Sequence, residues 1–146
     1  MRRVSLAILV NGDKLLLYLR DNKPDISYPD HWALIGGQVE EGESPLEALE
    51  REIEEEIGCR ARNLVFRLEV DVIGNPQCGD HQIHLFTGEI DRRIEDMRLT
   101  EGQDLGYFAL GEFEDLKFPD FLKPICLSVL TDALDRLVAT RVKYSL

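Results

Sequence analysis

Glu52, Glu55 and Glu56 are spaced i, i+3 and i+4, so on a helix their carboxylates crowd one face. Like charges at that spacing destabilise a helix by about a few tenths of a kcal/mol per pair. Carboxylates near a helix C-terminus also oppose the helix dipole. A helix built only for support would carry Lys or Arg there. Residues 40–56 instead hold nine Glu against one basic residue, Arg51. Such a cluster calls for a counter-charge, and clustered carboxylate oxygens suit hard cations such as Mg²⁺ or Mn²⁺. The plainer alternative is an acidic helix face that simply meets water.

The elements that would position these side chains are written around them. The stretch GGQVEEGESPLEALEREIEEEIGC, residues 36–59, reads as a glycine loop, a capped helix and a glycine stop. Ser44 fits the N-cap, Pro45 the first helical position, and Glu47 completes a capping box. Gly58 fits the position that ends a helix. Leu46, Leu49, Ile53 and Ile57 recur at helical spacing and predict a core-facing stripe. Gly36 and Gly37 permit a tight turn and close approach of backbone to a ligand.

With these residues in place, the stretch resembles the Nudix hydrolase signature, Gx5Ex7REUxEExGU with U a bulky aliphatic residue, in its MutT-like form. Gly37, Glu43, Arg51, Glu52, Ile53, Glu55, Glu56 and Gly58 fall on its fixed positions, and Cys59 stands where an aliphatic residue is usual. Ile35 replaces the proline that commonly precedes the glycine pair. The resemblance implies an α/β fold, the Nudix α/β/α sandwich with a mixed β-sheet between helices, as a single domain over residues 1–146. It implies metal ligands at Glu52, Glu55, Glu56 and the carbonyl of Gly37 or Gly36. It pairs Arg51 with Glu43, and sets Glu101, in a downstream TEGQ turn, as a further metal ligand or general base, with Asp104 its nearest competitor. The general base is a box glutamate or Glu101. Arg20, closing an early strand, offers bidentate donors to substrate phosphate.

The implied activity is divalent-metal-dependent hydrolysis of the diphosphate bridge of a nucleoside diphosphate linked to another group X. The short chain and the TEGQ turn favour a nucleoside triphosphate. The alternatives are a nucleotide sugar or a dinucleoside polyphosphate, or a Nudix module that binds a nucleotide without cleaving it. The last commonly lacks box carboxylates, and none is missing here. A calcium-binding structural domain would need a DxDxDG-type loop, and the sequence has none.

Composition describes a soluble globular protein: 146 residues, 44% hydrophobic and 31% charged. Residues 40–56 contribute −8 of the formal charge of −11, so the acidity is local. No basic patch argues for duplex nucleic acid. Cys59, Cys78 and Cys126 form no disulfide framework. No segment is long enough to span a membrane, and the expected location is cytoplasmic, as a monomer or homodimer.

The rest of the chain reads as strands over 4–10 and 14–20 joined at Asn11-Gly12, a polar loop over 21–30, a short strand over 33–35, strands over 61–74 and 81–90, an aromatic strand after Gln103, and a C-terminal amphipathic helix over 121–138. Trp32 is expected in the core. A stacking role against a base is the lesser alternative for Tyr28 or Trp32. His81 and His84, at i,i+3 on a strand, point to opposite faces, so at most one faces substrate.

Overall fold

The computed structural model describes residues 1–132. Asn11-Gly12 turns the chain between β1 (Arg2–Asn11) and β2 (Lys14–Leu19), with Gly12 at φ 64°. The two strands pair only near this turn, from Leu9↔Leu16 to Asn11↔Lys14. Beyond it they diverge, and residues 32–38 fill the gap. β3 (Trp32–Ala33) pairs with the end of β2, and β4 (Ile35–Gln38) with the start of β1. The single strand expected over 33–35 is therefore two, broken at Leu34, because its halves bond to different partners. The strand expected over 14–20 stops at Leu19, leaving Arg20 in the loop that follows.

β5 (Arg62–Val72), β6 (His81–Glu89) and β7 (Asp104–Ala109) complete a seven-stranded sheet. β6 runs parallel to β1 along its whole length, and the other pairings are antiparallel. The sheet is mixed, as expected. Alternate residues of the apolar β1 run go to opposite faces. Ala7 and Leu9 join Leu49, Ile53 and Ile57 of α1 (Pro45–Ile57) on one side. Ile8 joins Phe113 of α2 (Leu110–Asp115) and Leu122, Cys126 and Leu130 on the other, where residues 123–132 are helical. Helices thus cover both faces, and the α/β/α sandwich stands. The part of the expected C-terminal helix beyond residue 132 lies outside the described residues.

α1 starts and stops where its sequence directs. The Ser44 hydroxyl accepts the Glu47 N–H at 3.1 Å and the Glu47 carboxylate accepts the Ser44 N–H at 3.0 Å. Gly58 ends the helix at φ 70°. The expected stripe needs one correction. Leu46 is 39% exposed, while Ala48 is fully buried beside Leu49, Ile53 and Ile57. The first turn meets the sheet through polar atoms, the buried Ser5 hydroxyl donating to the Pro45 carbonyl at 2.7 Å, and not through Leu46. Cys59 and Cys126 are buried free thiols, and Cys78 is partly buried.

Candidate active site

The glycine pair sits on β4, inside the gap between β1 and β2. Gly36 has φ 152°, and a Cβ there would lie 2.1 Å from the Ser5 carbonyl oxygen. A Cβ on Gly37 would lie 2.4 Å from the carboxyl carbon of Glu52. These glycines let the backbone of β4 press against both β1 and a helix carboxylate, which no larger residue would allow. The Gly36 N–H donates to Glu56 Oε2 at 3.3 Å.

Arg51 organises the other carboxylates. It holds Glu43 with two parallel bonds, Nε to Oε2 at 2.7 Å and Nη2 to Oε1 at 3.0 Å. Its Nη1 donates to Glu52 at 2.9 Å and Glu55 at 3.2 Å, and Nη2 reaches the Gln38 carbonyl at 3.1 Å. The bond to Arg51 lowers the Glu43 pKa below the ordinary carboxylate value, and the same bond raises the Arg51 pKa. Glu55 remains open to solvent, its side chain 59% exposed, against 18% for Glu52.

Among the described residues, no arginine pairs with Glu56. Burial first, then the neighbouring charge of Glu52, pushes its pKa up to about 8, with Glu101 adding to the rise and the Gly36 N–H opposing it. A carboxyl held protonated by like charges and burial is short of a cation.

Glu101 reaches this cluster through the cap of α1. The loop 98–103 covers the helix C-terminus, where carbonyls otherwise lack partners. The N–H groups of Arg98 and Thr100 donate to the carbonyls of Ile57 and Glu56, both at 3.1 Å, and the Thr100 hydroxyl donates to the Glu55 carbonyl at 3.2 Å. Gly102 is left-handed at φ 90°, and a Cβ there would lie 2.6 Å from the Leu19 carbonyl oxygen. Gln103 ties the loop to β2 through its N–H on the Leu19 carbonyl at 2.8 Å and its side chain on the Arg20 carbonyl at 2.8 Å. Asp104, the competitor for the role of Glu101, lies in β7, where its carboxylate accepts the Leu105 N–H at 2.9 Å.

Arg20 lies between two hollows. Its Nε donates to the Ser27 carbonyl at 2.9 Å and Nη1 to the Tyr18 hydroxyl at 3.2 Å. One hollow, a cleft of about 290 Å³, runs from Tyr18 and Arg20 past Gly36 and Gly37 to Tyr28 and Phe121. The other, about 470 Å³, is lined by Arg20, Lys23, Thr100 and Glu101. Burial raises the Tyr18 pKa, so its phenol stays a neutral acceptor for Arg20.

A family description, the NUDIX domain, matches residues 1–125. The chain belongs to the Nudix family. It is 45% identical over 58 residues to an ADP-ribose pyrophosphatase of Haemophilus influenzae, a match covering 40% of this chain and 26% of that protein. The match thus spans about a quarter of the curated relative. Among solved structures, a MutT NUDIX hydrolase from Burkholderia pseudomallei superposes with a TM-score of 0.70 at 27% identity, covering 87% of this chain and 95% of that one. A MutT protein from Methanosarcina mazei reaches 0.71 at 17% identity, covering 90% and 94%, a likeness of fold alone.

In this Nudix chain Gly37 lies against Glu52 and the Gly36 N–H bonds Glu56, Arg51 links Glu52 to Glu43 and Glu55, Glu101 acts on Glu56 through its charge, and Arg20 shares a cleft with the two glycines. Their oxygens form a donor set suited to Mg²⁺ or Mn²⁺, and the space left by Gly37 keeps Glu52 against the backbone. Among the described residues, no three acidic, His or Cys side chains already stand close enough to grip an ion. Of the two histidines, His81 lines the cleft, while His84, paired with Ser5, lies on the α1 face. Trp32 packs edge-on against Phe108 at 4.7 Å. Sequence reasoning missed Thr100, Gly102 and Gln103 as the residues that deliver Glu101; their only signal was the TEGQ turn itself.

Proposed function

We propose that this chain hydrolyses the diphosphate bridge of a nucleoside diphosphate linked to a group X, with Mg²⁺ or Mn²⁺ as its cofactor. The observation that carries the reading is the seating of Glu52 against Gly37 and of Glu56 on the Gly36 N–H, with the charge of Glu101 felt by Glu56, beside a cleft edged by Arg20. Glu52, Glu55, Glu56, Glu101 and the carbonyl of Gly37 or Gly36 would hold the ion. When bound, it neutralises phosphate charge and lowers the pKa of the attacking water.

The chain's own residues do the rest. Glu52 and Glu55, which bond Arg51 Nη1, would turn to the ion, and the paired Arg51–Glu43 bonds make Glu43 and Arg51 an orienting pair. Arg20 binds phosphate oxygens from the edge of the cleft. A glutamate, Glu52, Glu55 or Glu101, takes the proton from water, since general-base catalysis needs an acceptor within hydrogen-bond reach. Arg20 and Lys23 beside Glu101 supply positive charge for an anionic X, and this favours a nucleoside triphosphate. The Haemophilus influenzae relative, named an ADP-ribose pyrophosphatase, supports a second reading in which X is ribose phosphate.

The test is a panel of nucleoside triphosphates, ADP-ribose and dinucleoside polyphosphates assayed for product release with Mg²⁺ and again after EDTA. EDTA should abolish turnover. No divalent-dependent hydrolysis of any member would overturn the proposal.

A further inference from the structure

Among the described residues, three non-glycine residues have left-handed backbones: Tyr28 at φ 47°, Asp30 at φ 60° and Asn63 at φ 54°. Asp and Asn tolerate that region through their short polar side chains, whereas a bulky aromatic there is an outlier. Strain of this kind persists only where the surroundings over-determine it, and it gathers at functional sites.

The surroundings of Tyr28 do over-determine it. Its N–H donates to Gln77 Oε1 at 3.1 Å, and its phenol oxygen accepts from Asn75 Nδ2 at 2.8 Å. Asn75 is itself oriented, its Oδ1 accepting the Gln77 N–H at 2.8 Å. The loop 73–80 thus grips Tyr28 at both ends. The bond from Asn75 uses the phenol oxygen as acceptor and pins that end of the ring, which lines the cleft. That ring is partly exposed, tilted 43° against Phe121 at 6.0 Å, and braced edge-on by His31 at 5.3 Å. It lines the same cleft as Gly36, Gly37 and Arg20.

We propose that Tyr28 is a specificity-determining residue whose ring stacks on the nucleobase of the substrate, with Asn75 and Gln77 as positioning residues that hold it there. The assignment rests on the proposed nucleotide chemistry and adds where the base sits. The ring is immobilised before the ligand arrives, so stacking costs little further ordering. Because every base has a π-face, the contact selects for a base over none more than among bases.

The experiment is calorimetric binding of the four nucleoside monophosphates, and of base-free ribose 5-phosphate, to the full chain with Mg²⁺. The proteins are wild type, Tyr28→Phe, Tyr28→Gly and Asn75→Ala. Glycine is chosen because it relieves the left-handed backbone, so the variant folds. Tyr28→Gly should weaken monophosphate binding about tenfold, within the range for loss of one base–aromatic stack, and leave ribose 5-phosphate unchanged. Tyr28→Phe keeps the ring and loses only the Asn75 bond, so it should retain wild-type affinity to within about threefold, and Asn75→Ala, which also unseats Gln77, should fall between it and Tyr28→Gly. Unchanged monophosphate affinity in Tyr28→Gly overturns the proposal. So does an equal loss for both ligands, or a wild type that binds the two alike or binds neither. Hydrolysis is assayed separately, so absence of turnover with base-dependent binding intact would strike the proposed reaction and not the stack.

Discussion

Two hydrogen-bond networks meet at the cleft, and they are built on different scales. Around Arg51, the hydrogen-bonded partners lie within 13 positions: Gln38, Glu43, Glu52 and Glu55. Around Tyr28 and Gln103, partners lie 47 to 84 positions away: Asn75, Gln77, Asp30, Arg20 and Leu19. The first network can assemble with a single helix and the loop before it. The second exists only when β2, the 73–80 loop and the start of β7 are already in register. The first sets the charge of the site and the second sets the shape of its cleft. Changes in one should therefore appear as lost chemistry or lost charge balance, and changes in the other as altered substrate fit.

The largest effect should come from the carboxylates. Glu55→Gln and Glu56→Gln are each expected to lower kcat at least about a hundredfold, the scale of removing a charge-stabilising catalytic group. Melting temperatures without metal should hold or rise. Glu55 is exposed, its bridge to Arg51 is worth little, and Glu56 already sits beside like charge. Steady-state kinetics with parallel thermal melts check this, and full activity in either variant would remove that residue from the site.

Arg51→Ala attacks the charge balance instead. It strips the paired bonds from Glu43 and leaves Glu52 beside Glu55 and Glu56 without a cation. Loss of charge-assisted bonds from a side chain only 25% exposed should cost about 2 kcal/mol. Mg²⁺ should recover part of it, because a ligand of the folded state stabilises by mass action. Arg51→Lys should rescue poorly, since lysine cannot make the paired contact. Melts across millimolar Mg²⁺ decide it; a fixed melting temperature in wild type and variant alike would argue against metal at these carboxylates.

Glu101→Gln comes next, with kcat expected to fall about tenfold and KM to stay near wild type, the pattern of a contact made mainly in the transition state. Asp104→Asn should be silent, because its side chain serves the Leu105 N–H. Reversal of the two results would shift the acidic position three residues along the chain.

How much of this was visible in the sequence follows the same division of scale. The capping box, Gly58 and the carboxylate triad act over short separations, so spacing carried them, while the Glu43–Arg51 pair was implied by the resemblance to the Nudix signature. The strands of the sheet were legible from apolar runs and the Asn11-Gly12 turn. The split of residues 32–38 between two strands was not, because it depends on how far β1 and β2 diverge. Leu46 misled because it shares the angular position of the buried stripe, yet its turn meets the sheet through Ser5 and the Pro45 carbonyl. Tyr28 and Gln103 could not be read at all from spacing: their partners lie far along the chain, and neither residue type announces a left-handed backbone or a tether.

The smallest prediction separates the two scales most directly. Glu47→Ala and Gln103→Ala each remove an exposed side chain that satisfies backbone groups. Glu47 closes the α1 capping box, a local bond set worth about 1 kcal/mol. Its loss should lower stability by that order and leave KM untouched, because the cap lies at the far end of α1 from Glu56. Gln103 donates to the Arg20 carbonyl and to Asp30 at 2.9 Å. Its exposed bonds should contribute at most about 1 kcal/mol, but they fix the start of the loop that carries Arg20 and Tyr28. Gln103→Ala should therefore raise KM for a nucleotide substrate about threefold, with a melting temperature close to wild type. Kinetics and melts on both variants give the answer. If Glu47→Ala shifted KM and Gln103→Ala did not, the division between charge set locally and shape set at long range would fail.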